Sequence, residues 1–296
     1  MSLPIKIPTK KLASGFEMPV YGLGTWKMGG VKQASNDTDN QDTTGIRSAI
    51  EKGITHIDTA EMYGNGHAEE LIGNVINEFD RSKLFLTSKA SFDFSYDGIL
   101  RAAECSLRRL QTDYLDLYLI HFMKPEYPLD ESMKAMSRLI DEGIIKHIGL
   151  SDFSWQAFSK AQSYANHKLV CNQVHYSMKV REVERKGVLN YAQKNNIFLT
   201  AWRPLHYGEL ATNPPEIINK MMLKYNKTAA QIALNWLISQ DKVITLAKTS
   251  TPEHIDDNLG AFGFMMDDSD IEQIRVDYPD QLAESDSVPL NLESFA

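Results

Sequence analysis

The feature that most constrains this chain is a rhythm: eight short β-rich runs, each followed by a segment of helical periodicity. The runs cover residues 20–25, 54–60, 84–89, 114–121, 145–151, 169–177, 197–205 and 243–249. Helical spacing of apolar residues marks 43–52, 68–79, 96–110, 129–141, 154–165, 182–195 and 252–260, while 216–225 and 229–239 share one long connection. Strands that alternate with helices imply βαβ units and a parallel sheet. Eight units predict a closed (β/α)₈ TIM barrel rather than an open doubly wound sheet, and a barrel needs about 250 residues. The segment "PIKIPTKKLASGFEMPV" divides into two short strands around "ASG", so residues 1–19 are expected to form a β-hairpin at the barrel bottom. Residues 277–296 are acidic and contain proline, which predicts an extended tail. No linker-like stretch interrupts the chain, and a single domain over 1–296 is expected.

Composition excludes several function classes. Lys and Arg total 31 against 39 Asp and Glu, a net charge of −8, so the chain lacks the basic surface that nucleic acids or anionic membranes require. Cys105 and Cys171 are the only cysteines, too few and too far apart for a disulfide framework or a structural zinc site. The N-terminus "MSLPIKIPTKK" has no apolar signal region, and no apolar run approaches the ~20 residues of a membrane span. A cytoplasmic protein is the expectation.

In a parallel α/β barrel, chemistry collects where strands end and βα loops begin. The second run ends "ITHIDTA" and enters "EMYGNG"; the third ends "LFLTSK" and the fourth "YLDLYLIH". Asp58, Tyr63, Lys89 and His121 therefore share one rim. Each alone has an ordinary explanation: a turn aspartate, a packed tyrosine, a lysine reaching for solvent, a structural histidine. Together they do not, because strand alternation turns Asp58 and Lys89 to one face, and charges tolerate burial only when paired. A Lys⁺ beside a phenol is expected to lower the tyrosine pKa from about 10 and fit it for proton transfer. A neighbouring imidazole would hydrogen-bond the oxygen being protonated. The chemistry indicated is polarisation and protonation of a carbonyl.

With these motifs the chain resembles the aldo-keto reductase superfamily along nearly its whole length, most closely the prokaryotic, diketogulonate-reductase-like branch. The resemblance rests on "MPVYGLGTW", "DTAEMYGNG", "TSKA", "YLDLYLIH", "KHIGLSDFS", "CNQVHYS", "AWRPL" and "TLAKTSTPEHIDDN" in that order. It implies a catalytic tetrad of Asp58, Tyr63, Lys89 and His121, with Tyr63 as proton donor. It also implies a nicotinamide cofactor, NADPH or NADH, lying across the mouth. Gly24, Thr25, Trp26 and Asp58 would line its path, while Ser151, Asp152 and Gln173 would hold the carboxamide. Trp202 would stack on the nicotinamide, beside Arg203, Pro204 and Leu205. Lys248, Thr249, Ser250, His254, Asp257 and Asn258 would grip the adenosine end.

Four positions depart from the common pattern. Asp152 stands where Asn is usual, Trp202 where Tyr is frequent, Arg203 where Ser is common, and His254 where Arg pairs with the 2′-phosphate. A neutral His makes no bidentate charged contact with that phosphate. NADPH is therefore favoured without excluding NADH. Trp26, Tyr63, Phe92, His121 and Phe122 are the expected substrate contacts, whereas Phe94 is expected to pack within its loop. Short loops predict an open pocket for small aldehydes, ketones or sugar-derived carbonyls, in a monomer or weak homodimer. The alternatives are a cofactor-binding regulatory barrel with little turnover and, less compatibly, a metal-dependent hydrolase. No metal site is expected.

Overall fold

The computed structural model describes residues 5–122 and 124–290. The outermost parts of both terminal segments, Phe295 among them, lie outside the described residues. Strands β1 (Thr9–Lys11) and β2 (Glu17–Pro19) form the N-terminal antiparallel hairpin. Eight further strands follow: β3 (Tyr21–Gly24), β4 (His56–Asp58), β5 (Phe85–Ala90), β6 (Leu117–Ile120), β7 (Ile148–Ser151), β8 (Leu169–His175), β9 (Phe198–Trp202) and β10 (Val243–Lys248). They run parallel in sequence order, and β10 pairs back onto β3 to close the barrel. Helices cover the outside, so the strands are buried on both faces, as all-parallel sheets require.

Alternation along each strand grades the lumen from apolar to polar. At the bottom Leu117, Leu119, Cys171, Phe198 and Ile244 form one cluster with Leu12, Phe16 and Met18 of the hairpin segment. The Phe16 ring sits 4.2 Å from His147 and 5.9 Å from Phe198, so the hairpin plugs the barrel floor. One layer up, His56 Nε2 pairs with Thr87 Oγ1 at 3.1 Å. Gly22 makes room for that imidazole, since a Cβ there would fall 2.6 Å from His56 Nδ1. The register then places Gly24 beside both Asp58 and Lys248, and Ser151 beside Gln173. Strand ends from around the ring thus meet at one mouth.

Local signals explain several helix boundaries. Ser95 caps Tyr96–Leu110 by accepting from Gly98 N at 3.1 Å, and Thr228 with Gln231 forms a capping box on Ala229–Ile238. The helix expected over 182–195 is two, Glu182–Arg185 and Val188–Lys194, because Gly187 adopts φ 75° between them. Helix Asp268–Asp277 was not expected; it is polar, with Asp270 and Ile274 as its buried residues, and so has little periodicity to find. After it the chain has no regular helix or strand through residue 290 apart from a bridge between Val180 and Leu282. Glu182 fastens this tail, accepting from Ser285 N at 2.9 Å and Leu290 N at 2.8 Å. Among the described residues no helix is long and apolar enough to cross a membrane.

If the hairpin closes the floor by packing, Phe16→Ala should leave a cavity and destabilise the protein by about 3 kcal/mol. Urea unfolding measures this; a loss below about 1 kcal/mol would mean that the floor closes without the Phe16 ring.

Candidate active site

Lys89 is fully buried at the top of the lumen. Its Nζ donates to Asp58 Oδ1 at 2.5 Å and to the Thr59 carbonyl at 2.7 Å. The other Asp58 oxygen accepts from Gln173 Nε2 at 2.7 Å, and the Tyr63 hydroxyl lies 3.4 Å from Nζ. Tyr63 opens the tight turn Tyr63–Gly66, in which Gly64, Asn65 and Gly66 all have left-handed φ. A Cβ on Gly64 would fall 2.4 Å from the Gly29 carbonyl oxygen, so glycine permits the close approach that seats this turn. Trp26 packs edge-on to the Tyr63 ring at 5.0 Å, and His121 stands 5.6 Å away on another side.

Electrostatics distinguish the four groups. Burial pulls the Lys89 ammonium down, but the Asp58 carboxylate and the Tyr63 hydroxyl outweigh it and hold its pKa above the usual value. Burial raises the Asp58 carboxyl, against the opposing pull of Lys89 and Gln173. These directions compete, since one favours a charged lysine and the other a neutral acid. The hydrogen bonds decide for an ion pair, because both Asp58 oxygens receive donors and Lys89 faces only acceptors. Tyr63 corrects the sequence expectation. Its pKa is raised, because burial exceeds the lowering by Lys89, whose short bond goes to Asp58. His121 lies well below its usual value through burial and the Lys89 charge, so its imidazole is neutral.

A cavity of about 330 Å³ opens over these groups, with Asp58, Tyr63 and His121 in its wall. Gly24, Thr25, Trp26, Ser151, Asp152, Gln173, Trp202, Arg203, Pro204 and Lys248 also line it, as does Phe122. Two of the unusual residues prove to be partners: Trp202 Nε1 donates to Asp152 Oδ1 at 3.1 Å. Ser151 Oγ meets the other Asp152 oxygen at 3.3 Å. One face of Trp202 is covered by His175, 4.3 Å away and nearly parallel. Arg203 bonds Ser287 Oγ at 2.7 Å, and it begins a segment in which Arg203, His206 and Tyr207 all have positive φ. Such strain in non-glycine residues collects at functional sites.

Other expected residues lie elsewhere. Leu205 packs on the hydrophobic core rather than lining the cavity. Phe92 is also displaced: it is 49% exposed and borders a neighbouring depression with Glu61, Asp93 and Arg101. Glu61 accepts the Phe92 backbone N–H at 3.1 Å and fixes the loop with that side chain outward. Phe94 packs against Phe122 and Tyr127. Lys248 is exposed and reaches Ser250 Oγ at 3.4 Å; Thr249 and Ser250 are buried, and His254 is exposed on the helix Pro252–Leu259. Asp257 accepts from Thr228 Oγ1 and Gln231 Nε2, which ties it to the cap of the preceding helix, while Asn258 donates to the Tyr21 hydroxyl at 3.1 Å.

Met62, Leu246 and Val288 line the cavity without having been singled out. Leu246 was legible, two residues before Lys248 on the inward face of β10. Val288 was not, because it arrives on the tail. His175, His206 and Asp286 also bring three ligand-type atoms within 4.8 Å of one another. His175 Nδ1 is paired with Ser285 Oγ at 2.8 Å, while His175 Nε2 and His206 Nδ1 are buried without partners. A metal held by the atoms nearest Asp286 would lack the outer hydrogen bonds that orient ligating imidazoles.

Burial raises the Asp152 carboxyl to about 7, against hydrogen bonds from Trp202 and Ser151. A raised carboxyl keeps its proton in the folded chain while the unfolded chain releases it, so stability falls as pH rises between about 4 and 7. Asp152→Asn removes that titration. Its thermal stability relative to the parent should improve progressively over this interval and level off above it. A difference independent of pH would refute the raised carboxyl.

Residues 21–276 match the Aldo/keto reductase family. The glyoxal reductase of Bacillus subtilis (strain 168) is 36% identical over 270 residues, covering 90% of this chain and 91% of that protein. Among solved structures, the thermostable aldo-keto reductase Tm1743, in complex with the inhibitor epalrestat, superposes with a TM-score of 0.88. It is 37% identical, and the match covers 91% of this chain and 99% of that one. An aldo/keto reductase from Klebsiella pneumoniae, in complex with NADP and acetate, gives a TM-score of 0.83 at 30% identity. That match covers 97% of this chain and 100% of the other.

Proposed function

The chain belongs to the aldo/keto reductase family, and from that premise we propose that it reduces small aldehydes, ketones or sugar-derived carbonyls to alcohols, with NADPH as the main cofactor and NADH as a second. The observation that carries this reading is the Tyr63 hydroxyl, 3.4 Å from the buried Lys89 Nζ at the wall of a largely apolar cavity. The similarity to a glyoxal reductase and to a structure holding NADP supports it.

The cavity's donor set fits a nicotinamide cofactor. Gln173 spends its Nε2 on Asp58, which leaves Oε1 to accept from a carboxamide N–H. Ser151 adds a hydroxyl beside it, and Trp202, backed by His175 and with the Arg203 guanidinium 5.0 Å from its ring centroid, supplies an aromatic wall. Arg203 and Lys248 bring positive charge to the wall of an otherwise acidic protein, where diphosphate would lie. Such a cofactor supplies hydride to the carbonyl carbon when bound. The chain's own residues do the rest. The imidazole of His121 donates a hydrogen bond to the carbonyl oxygen and aligns it. Tyr63 gives its proton to that oxygen, and Lys89, held charged by Asp58, stabilises the phenolate left behind. In reverse the same groups serve alcohol oxidation.

Tyr63→Phe removes the proton donor but keeps the ring. Reduction of glyoxal should fall at least about a hundredfold, within the usual range for losing a general acid. NADPH binding, followed by fluorescence quenching, should be unchanged. Turnover retained in this variant would overturn the assignment of the acid.

The adenosine end supports a second expectation. His254→Arg introduces a guanidinium capable of bidentate contact, so NADPH should bind roughly tenfold more tightly while NADH affinity stays the same. A parallel gain for NADH would show that position 254 does not face the 2′-phosphate.

A further inference from the structure

We propose that Ser91, anchored by Glu61, fixes His121 in the tautomer that carries its hydrogen on Nε2, making it a positioning residue for the reduction proposed above. The inference rests on that reading for its catalytic meaning, but the tautomer itself is a property of the chain alone. Ser91 is buried directly after β5, and its Oγ lies 2.7 Å from His121 Nδ1.

A neutral imidazole carries one N–H, and the partner of one ring nitrogen determines where it sits. The Ser91 hydroxyl has one proton and two acceptors in range. Nδ1 is at 2.7 Å, whereas the Lys89 carbonyl is at 3.4 Å and already accepts from Glu61 N. We assign the hydroxyl proton to the short contact, whose direction depends on the tautomer, since the longer one goes to a carbonyl that already has a donor. Nδ1 is then an acceptor, and the hydrogen must occupy Nε2, leaving an N–H donor for a carbonyl oxygen in the cavity that His121 lines. The other tautomer would offer that oxygen a lone pair and repel it.

The serine is not free to drift. Its backbone N–H donates to Glu61 Oε1 at 2.5 Å, and Phe92 N donates to the same oxygen at 3.1 Å. Glu61 is itself buried and stands two residues before Tyr63. One short segment therefore seats the phenol and, through Ser91, orients the imidazole. Ser91 does not line the cavity, so it acts through His121 and not on the substrate.

The test is ¹⁵N-edited NMR of the histidine rings in the full chain with NADP bound, alongside initial rates. The parent should show His121 as a single tautomer protonated at Nε2. Ser91→Ala should give a mixture or the Nδ1–H form, and Ser91→Thr, which keeps the hydroxyl, should restore the parent pattern. In Ser91→Ala, kcat should drop about tenfold, the scale of one lost hydrogen bond, with NADPH affinity unchanged. If that variant folds poorly, Ser91→Cys, close in size but a weaker donor, should shift the tautomer in the same direction. An Nδ1–H form in the parent, or an unchanged single Nε2–H form in every variant lacking the hydroxyl, would overturn the proposal. Because the spectrum needs no turnover, a fully active Tyr63→Phe would remove the proposed acid and leave the tautomer result standing. An inactive Tyr63→Phe together with an unmoved His121 spectrum in Ser91→Ala would instead defeat Ser91 alone.

Discussion

The mouth of this barrel is organised around one buried ammonium. Taking a lysine charge out of water costs several kcal/mol unless the protein supplies acceptors, and that requirement dictates its surroundings. Asp58 must end the adjacent strand at the right height, Thr59 must offer its carbonyl, and Gln173 must hold the second carboxylate oxygen. These groups come from β4, the residue after it, and β8 across the lumen, and their positions hold only if the ring is closed. The apolar floor serves the same end from below. Phe16 and its neighbours seal the lumen, so the pair is exposed to the mouth alone.

The departures at the cofactor wall are better understood as a pair than as separate irregularities. An indole brings an N–H that a phenol ring lacks at that position, and a part-buried N–H needs an acceptor. Asp152 provides one, takes the Ser151 hydroxyl on its other oxygen, and sits at φ 58°, which aspartate tolerates better than most residues. His175 backs the indole and is held in turn by Ser285 on the tail. The wall is thus a stack reaching from the strand ends to the C-terminal segment.

Strand alternation makes most of this legible in the sequence itself. The order Phe85–Thr87–Lys89 on β5 and Ile244–Leu246–Lys248 on β10 states which face is inward and that polarity rises toward one end. The closed ring and the shared rim of Asp58, Lys89 and His121 follow from that periodicity and the count of units, whereas the hairpin comes from the "ASG" turn and Tyr63 from the loop after the second run. What escaped depends on contacts distant in sequence. Val288 reaches the cavity because Glu182 captures the tail. Phe92 turns outward because Glu61 holds its backbone, and Asp257 is occupied by a helix cap. Gly187 was visible as a residue, but breaking the helix there depends on its left-handed backbone.

The tyrosine pKa is the more instructive discrepancy, since its sign was at issue. A cation next to a phenol does favour phenolate, but the amount depends on how much of its field remains unspent. Lys89 makes its short bonds to Asp58 and Thr59 and stands at the edge of hydrogen-bond range from Tyr63, while burial acts on the phenol in full. The resting site therefore keeps its proton loaded at neutral pH, as a donor to a carbonyl must. Once that proton leaves, the phenolate becomes a second anion beside the same ammonium, and the interaction that was weak at rest strengthens. On the proposed reading, the ion pair lets Tyr63 remain an acid between turnovers and still bear the negative charge when it acts. A site with the phenol already ionised would have the stronger resting contact and no proton to give.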